Sequence, residues 1–333
     1  MSKTIVPQDY VSKLNLYDTQ TAIGFIKNEF QVELSKALNL KRVSAPLFVL
    51  SETGLNDGLN GEKPVSFLVP SLDKHAEIVH SLAKWKRMAL YNYDFYVGNG
   101  LYTDMNAVRK EEILDNIHSI YVDQWDWEKS IDESMRTLDY LKNTVKDIVK
   151  AIHLTSSEVI EKYPSITYHA PSEVFFITSQ ELENLYPTLD SKQREYEIAK
   201  DKGVVFIIGI GNLLNSNLPH DNRAPDYDDW SLNGDLLYYH KTLDMAVEIS
   251  SMGIRVNHES LYNQLENKSR LEDLKYPYHQ MIINKELPLT IGGGIGQSRL
   301  CLILLEKAHI GEVQASIWDE ETINACRNKI TLI

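Results

Sequence analysis

Leu289-Thr-Ile-Gly-Gly-Gly-Ile-Gly-Gln-Ser-Arg299 runs on into the apolar stretch Leu300 to Leu305. It reads as a strand, a glycine turn and a helix that carries an arginine at its start. Glycines let the backbone approach a planar or charged ligand. A helix N-terminus and a guanidinium both favour phosphate. No Gly-Lys-Ser/Thr follows, so this is not a Walker loop. It lies near the C-terminus with no strand–helix–strand unit after it, so it is not a dinucleotide fingerprint either. A lone glycine turn with a surface arginine would be the plainer reading, and other segments must carry the case.

Working outward, the elements cluster rather than alternate. Asp18 is placed as the N-cap of a helix to Leu38, with Ala22, Ile23, Phe25, Ile26, Phe30 and Leu34 on a buried stripe. Arg42 to Leu50 reads as a strand, and Pro46 within it points to an edge or an interface. Val65 to Val69, Glu77 to His80 and Ile120 to Trp127 read as strands, and Ser81 to Leu90 as a helix. Leu138 to Ile152 and Asp190 to Lys202 are helical, the second stopped by Gly203. Val204 to Ile208, Asp235 to Tyr239 and Ala246 to Val256 are strands, and helical pieces fill Ser260 to Leu287. This pattern predicts an α+β fold with a largely antiparallel β-sheet flanked by helices, rather than a doubly wound one. No linker or repeat divides residues 1–333, so one domain is expected.

The chain has 34 basic and 47 acidic residues and a net charge of −13. That field repels a phosphate backbone, which argues against nucleic acid as a partner, although a local basic pocket is compatible with it. Two cysteines, Cys301 and Cys326, make neither a disulfide framework nor a zinc site. Cys301 sits in an apolar run, and Cys326 is expected to be more exposed. Met1 to Leu16 lacks a signal-peptide core. The longest apolar run, Val204 to Ile210, is too short to span a bilayer. A cytoplasmic protein with no membrane partner is expected.

Three more segments carry chemistry. In Ala246 to Arg255, strand alternation would put Glu248 and Ser250 on one face. A carboxylate among small polar residues suits Mg²⁺ with phosphates, and Asp235 could add a second carboxylate from a neighbouring strand. In His118 to Glu128, Gln124 and Asp126 share one strand face, and Trp125 and Trp127 the other. Arg223-Ala-Pro-Asp-Tyr-Asp-Asp-Trp230 sets an arginine beside carboxylates, as a solvated turn or as a grip for a zwitterion.

Five motifs in order, His80 to Arg87, Tyr121 to Glu128, Arg223 to Trp230, Ser250 to Arg255 and Ile291 to Arg299, resemble the A-type aspartate–ammonia ligases, ammonia-dependent asparagine synthetases. The resemblance runs from about Ile23 to Trp318. It implies a fold similar to the class II aminoacyl-tRNA synthetase catalytic domain and a homodimer formed through the first helix and the Pro46 region. It implies ATP as a substrate, Mg²⁺, and asparagine made from L-aspartate and ammonia through a β-aspartyl-adenylate. Arg109 and Arg299 would hold ATP, with Gly294 and Asp235 beside it and the metal on Glu248 and Asp235. Arg109 is displaced along its loop relative to the class's second motif. Asp57, Asp126 and Asp228 are candidates for the α-ammonium of aspartate, and Arg223 and Arg255 for its α-carboxylate. Lys86 and Gln124 would hold the side-chain carboxylate, with Lys84 as an alternative. Asp57 would take a proton from ammonium, and Ser119, Ser250 and Ser251 would supply hydrogen bonds. Position 2 is Ser2, whereas glutamine-dependent synthetases need an N-terminal cysteine; no anticodon-binding domain is visible. A non-catalytic relative that binds amino acid or nucleotide, and a fragment that charges tRNA, are the rival readings.

Overall fold

The computed structural model describes residues 4–58 and 61–333; Ser2 lies outside them. Eleven strands and nine α-helices are found among the described residues. In chain order they are α1 (Leu16–Leu38), β1 (Leu40–Arg42), β2 (Phe48–Leu50), β3 (Ser66–Val69), β4 (Lys74–Ile78), α2 (Ala83–Asn92), β5 (Gly100–Val108) and β6 (Tyr121–Ile131). Then come α3 (Leu138–Lys162), β7 (Phe175–Thr178), α4 (Ser179–Leu185), α5 (Ser191–Lys202), β8 (Val204–Ile208), β9 (Asp228–His240) and β10 (Met245–Arg255). Last are α6 (His258–Asn267), α7 (Pro277–Ile283), β11 (Leu289–Gly296), α8 (Gln297–Leu304) and α9 (Glu320–Cys326).

The main sheet has eight strands in the order β1-β5-β6-β11-β10-β9-β8-β7. Its centre is antiparallel, as expected. Both edges are not: β1 pairs with β5, and β7 with β8, in parallel. The sheet is therefore mixed. The chain reaches each parallel edge by a long excursion, which a hairpin meander would not need.

Sequence and structure part company at Arg42 to Leu50. This is not one strand: β1 belongs to the large sheet, and β2 to a separate three-stranded sheet in the order β2-β4-β3. Pro46 lies in the break, since it has no N–H to continue a ladder. The cap of α1 also moves. Asn15 is the N-cap and accepts the Asp18 N–H at 2.9 Å, so Asp18 sits in the first turn, where its charge suits the helix dipole.

The stripe on α1 buries Ala22, Ile26, Phe30, Leu34 and Leu38. Phe30 meets Trp125 of β6 with ring centroids 4.6 Å apart. Trp125, Trp127, α1, α3 and α8 contribute to one apolar core. The alternation read from β6 thus holds: tryptophans go into this core, and Gln124 and Asp126 line a cleft. Cys301 and Cys326 are both buried and free, so Cys326 is less exposed than expected. Among the described residues, no helix is long and apolar enough to cross a membrane.

Candidate active site

A cleft of about 380 Å³ gathers residues of α2, β6, β10, β11, the start of α5 and the loops before β6 and β9. Its floor explains the glycines. Gly292, Gly293 and Gly294 do not form a turn; they lie inside β11. A Cβ on Gly292 would collide with the Glu128 carboxylate, and one on Gly294 with the Gln124 amide. One on Gly293 would come within 2.5 Å of Met252 Cβ. The missing side chains make room for those of the neighbouring strands. At the end of β11, α8 begins, and Arg299 lines the cleft.

One end of the cleft is a buried ion network. Lys86 of α2 is fully buried; it donates to Asp126 and to the carbonyls of Trp127 (2.9 Å) and Gly293 (3.2 Å). Burial pushes the Lys86 ammonium down, with Asp126 opposing. Arg255 donates to Glu128 at 2.8–3.1 Å and to Asp228. Burial opposes its charge, but Glu128 and Asp228 outweigh that and keep it protonated. Arg223 donates to Asp235 at 2.5 Å and to Ser251. Two atoms stay open. Arg223 Nε and Asp228 Oδ2 are buried without a hydrogen-bond partner among the described residues, 3.9 Å apart. Buried polar atoms of this kind call for an explanation, and a bound ligand, ion or water is one.

The other end is organised around Glu248. Burial would raise its carboxyl, but Arg299, Lys192, Arg223 and Arg109 together hold it below the usual range. Arg299 is fixed by its bonds to the carbonyls of Glu248 (2.9 Å) and Ile117 (3.3 Å). Arg109 follows β5, lines the cleft and leaves its Nε unpartnered. Asp235 does not itself line the cleft. Its carboxyl is pushed up to about 6, chiefly by burial, with Arg223 opposing and Glu248 adding. Two carboxylates that feel each other's charge, among cations that attract phosphate, fit a Mg²⁺ ion, which needs few protein ligands when phosphates and water complete its shell. No cluster of three or more such ligands exists among the described residues.

Ser250 is a correction. A bulge separates Glu248 and Ser250, which pair with adjacent residues, Leu237 and Leu236. The bulge breaks the alternation, so Ser251, not Ser250, joins Glu248 in the cleft. Lys84 is also elsewhere, in a buried ion pair with Asp226 at 2.8 Å. Asp57 and Ser119 do line the cleft, and Ser119 donates to Ser316 at 2.8 Å. The sequence reading missed Lys192, Asp221, Asn222, Tyr227 and Gln314, which also line it. The helix expected from Asp190 to Lys202 already put Lys192 in its first turn, but nothing local pointed that helix at Glu248.

A family model for aspartate-ammonia ligase matches residues 17–330. The aspartate–ammonia ligase of Clostridium perfringens (strain SM101 / Type A) is 56% identical, with 100% of both chains covered. The chain belongs to the aspartate–ammonia ligase family. Pediococcus pentosaceus has a member 55% identical over 99% of each chain. Among solved structures, Entamoeba histolytica asparaginyl-tRNA synthetase in complex with asparaginyl-adenylate superposes with a TM-score of 0.67 at 14% identity. That match covers 90% of this chain and 66% of the synthetase. The Pyrococcus horikoshii enzyme, also with asparaginyl-adenylate, gives 0.65 at 15% identity, covering 89% and 68%. This ligase family member therefore shares the fold of those synthetases at a level of identity that speaks to fold alone.

Proposed function

We propose that the protein makes L-asparagine from L-aspartate, ammonia and ATP through a β-aspartyl-adenylate, releasing pyrophosphate and AMP. Membership of the ligase family supports the reaction. The observation that carries the site assignment is the pair of open atoms, Asp228 Oδ2 and Arg223 Nε, beside the cation-ringed Glu248. An open carboxylate oxygen and an open guanidinium N–H match the α-ammonium and α-carboxylate of an amino acid. The cations match a triphosphate.

Aspartate bound in this way sends its side-chain carboxylate toward Lys86 and Gln124. That carboxylate attacks the α-phosphorus, and pyrophosphate leaves. Two anions must meet, so Arg299, Arg109 and Lys192 neutralise phosphate charge where it develops. Glu248, with Asp235 behind it, would hold Mg²⁺, which supplies further charge neutralisation. Ordering both substrates on one rigid sheet removes much of the entropic barrier. Asp57 takes a proton from ammonium, and the free ammonia displaces AMP from the acyl carbon.

The remaining parts of this reading are organisational. Residues 1–333 work as one catalytic unit in the cytoplasm, as a homodimer through α1 and the segment around Pro46, without nucleic acid. Incubation with ATP, Mg²⁺ and aspartate, with and without ammonium, tests the reading. Asparagine and AMP in equal amounts, dependent on ammonium and not on glutamine, are expected. Aspartate-dependent pyrophosphate exchange without asparagine would point to another acyl acceptor. No turnover would leave a binding protein.

A further inference from the structure

We infer that Glu128, which does not line the cleft, is a positioning residue that sets the affinity for the amino-acid ammonium through Arg255 and Asp228. This deepens the reading above and rests on it.

Glu128 has no exposed surface. It pairs in register with Gly292 across β6 and β11, and its carboxylate fills the space that a side chain there would take. A Cβ at residue 292 would also come within 2.7 Å of Arg255 Nη2. One at residue 253 would lie 3.0 Å from Asp228 Oδ1. Two glycines on two strands therefore clear a channel for a chain of charges: Glu128, Arg255, Asp228. Each link is bonded. Thr290 Oγ1 donates to Glu128 Oε1 at 2.6 Å and fixes the first group. Arg255 turns its Nε and Nη2 to Glu128, and its Nη1 to Asp228 Oδ1. Asp228 then presents Oδ2 without a hydrogen-bond partner, 3.9 Å from Arg223 Nε.

Charge balance gives this chain a purpose. Lys86 lies 3.8 Å from Glu128 and is bonded to Asp126. Arg223 is shared between Asp235, at 2.5 Å, and Asp228, whose Oδ2 lies 3.9 Å from its Nε. The linked cluster has four carboxylates, Asp126, Glu128, Asp228 and Asp235, against three cations, Lys86, Arg255 and Arg223. One negative charge is unbalanced, and the open oxygen of Asp228 is where a ligand can meet it. Burial would raise the Glu128 carboxyl, but Arg255 and Lys86 outweigh burial and hold it low, so the charge is present at neutral pH. An α-ammonium brings the cluster to neutrality. In a buried, low-dielectric site that favours an amino acid over the same dicarboxylate without its ammonium.

The test is Glu128→Gln in the full-length protein, which keeps shape and removes the charge. The KM for aspartate should rise by about 10-fold or more, as loss of a charge-assisted interaction predicts, with the KM for ATP within about twofold of the parent. Inhibition by succinate, which has no ammonium, should be no weaker than in the parent. An unchanged aspartate KM overturns the proposal. So does a parallel rise in both KM values with a lowered melting temperature, which is what a merely structural role would give. Should that variant not fold, Thr290→Val loosens Glu128 without removing it. It should weaken aspartate binding selectively, and an unaltered aspartate KM there also overturns the proposal. Aspartate-dependent pyrophosphate exchange gives the same constants, so the test holds if the acyl acceptor is not ammonia. Wild-type protein that neither exchanges pyrophosphate nor makes asparagine instead sinks the functional reading itself.

Discussion

The side-chain amide of Gln124 occupies the space that a Cβ at Gly294 would need, so the two residues, on adjacent strands, behave as one unit of the cleft floor. Gly294→Ala therefore pushes the amide out of place. Overpacking of this kind costs about 1–3 kcal/mol. A shift of about 1 Å beside the reacting groups lowers kcat/KM by roughly 100-fold. Steady-state asparagine formation and a melting curve check both, and near-parental kcat/KM would refute the coupling.

Arg299 has two carbonyl anchors, which aim its guanidinium beside Glu248 without ordering it afresh when substrate arrives. Arg299→Ala should lower aspartate-dependent pyrophosphate exchange by about 10²–10³-fold, as for other groups that stabilise developing charge. The melting temperature should change little, because both bonds run to backbone oxygens near the cleft. Exchange at near-parental rates would remove Arg299 from the phosphate site.

Asp235 gives the pH dependence. Its folded value of about 6 lies above the unfolded value of about 4. The group therefore favours the folded state fully below about pH 4, and that contribution is lost as the pH rises through 6. A divalent cation on Glu248 and Asp235 favours the charged form and reverses this. Mg²⁺ should thus raise the melting temperature more at about pH 7.5 than at about pH 5, and Asp235→Asn should flatten the difference. An equal effect of Mg²⁺ at both pH values in the parent protein would count against metal at this pair.

The parts of the site that could be read from sequence are those made by consecutive residues. Gln124 and Asp126 alternate with two tryptophans, and the pattern alone gives their face. Arg223 and Asp228 are five residues apart, the first in a loop and the second opening β9, and Arg299 lies in the first turn of a helix. What could not be read depends on how strands meet. The bulge at Glu248 and Ser250 moves one serine out of the cleft and another in, and alternation cannot foresee it. The glycines of β11 looked like a turn because their reason lies in Glu128 and Gln124, on another strand. The parallel edges of the sheet, and the turning of Lys192 toward Glu248, are long-range outcomes of the same kind.

Phe30 offers a last check, on the link between core and site. It has no exposed surface and packs on Trp125, whose strand neighbours Gln124 and Asp126 line the cleft. Phe30→Ala leaves a cavity under that strand and should cost about 3–5 kcal/mol, while Phe30→Leu should cost less because much of the volume is kept. Relaxation of β6 into the cavity should also move Asp126 relative to Lys86. The KM for aspartate is then expected to rise in the alanine variant even at temperatures where it is fully folded. Loss of stability with aspartate and ATP constants both unchanged would show that the core holds the sheet without tuning the site.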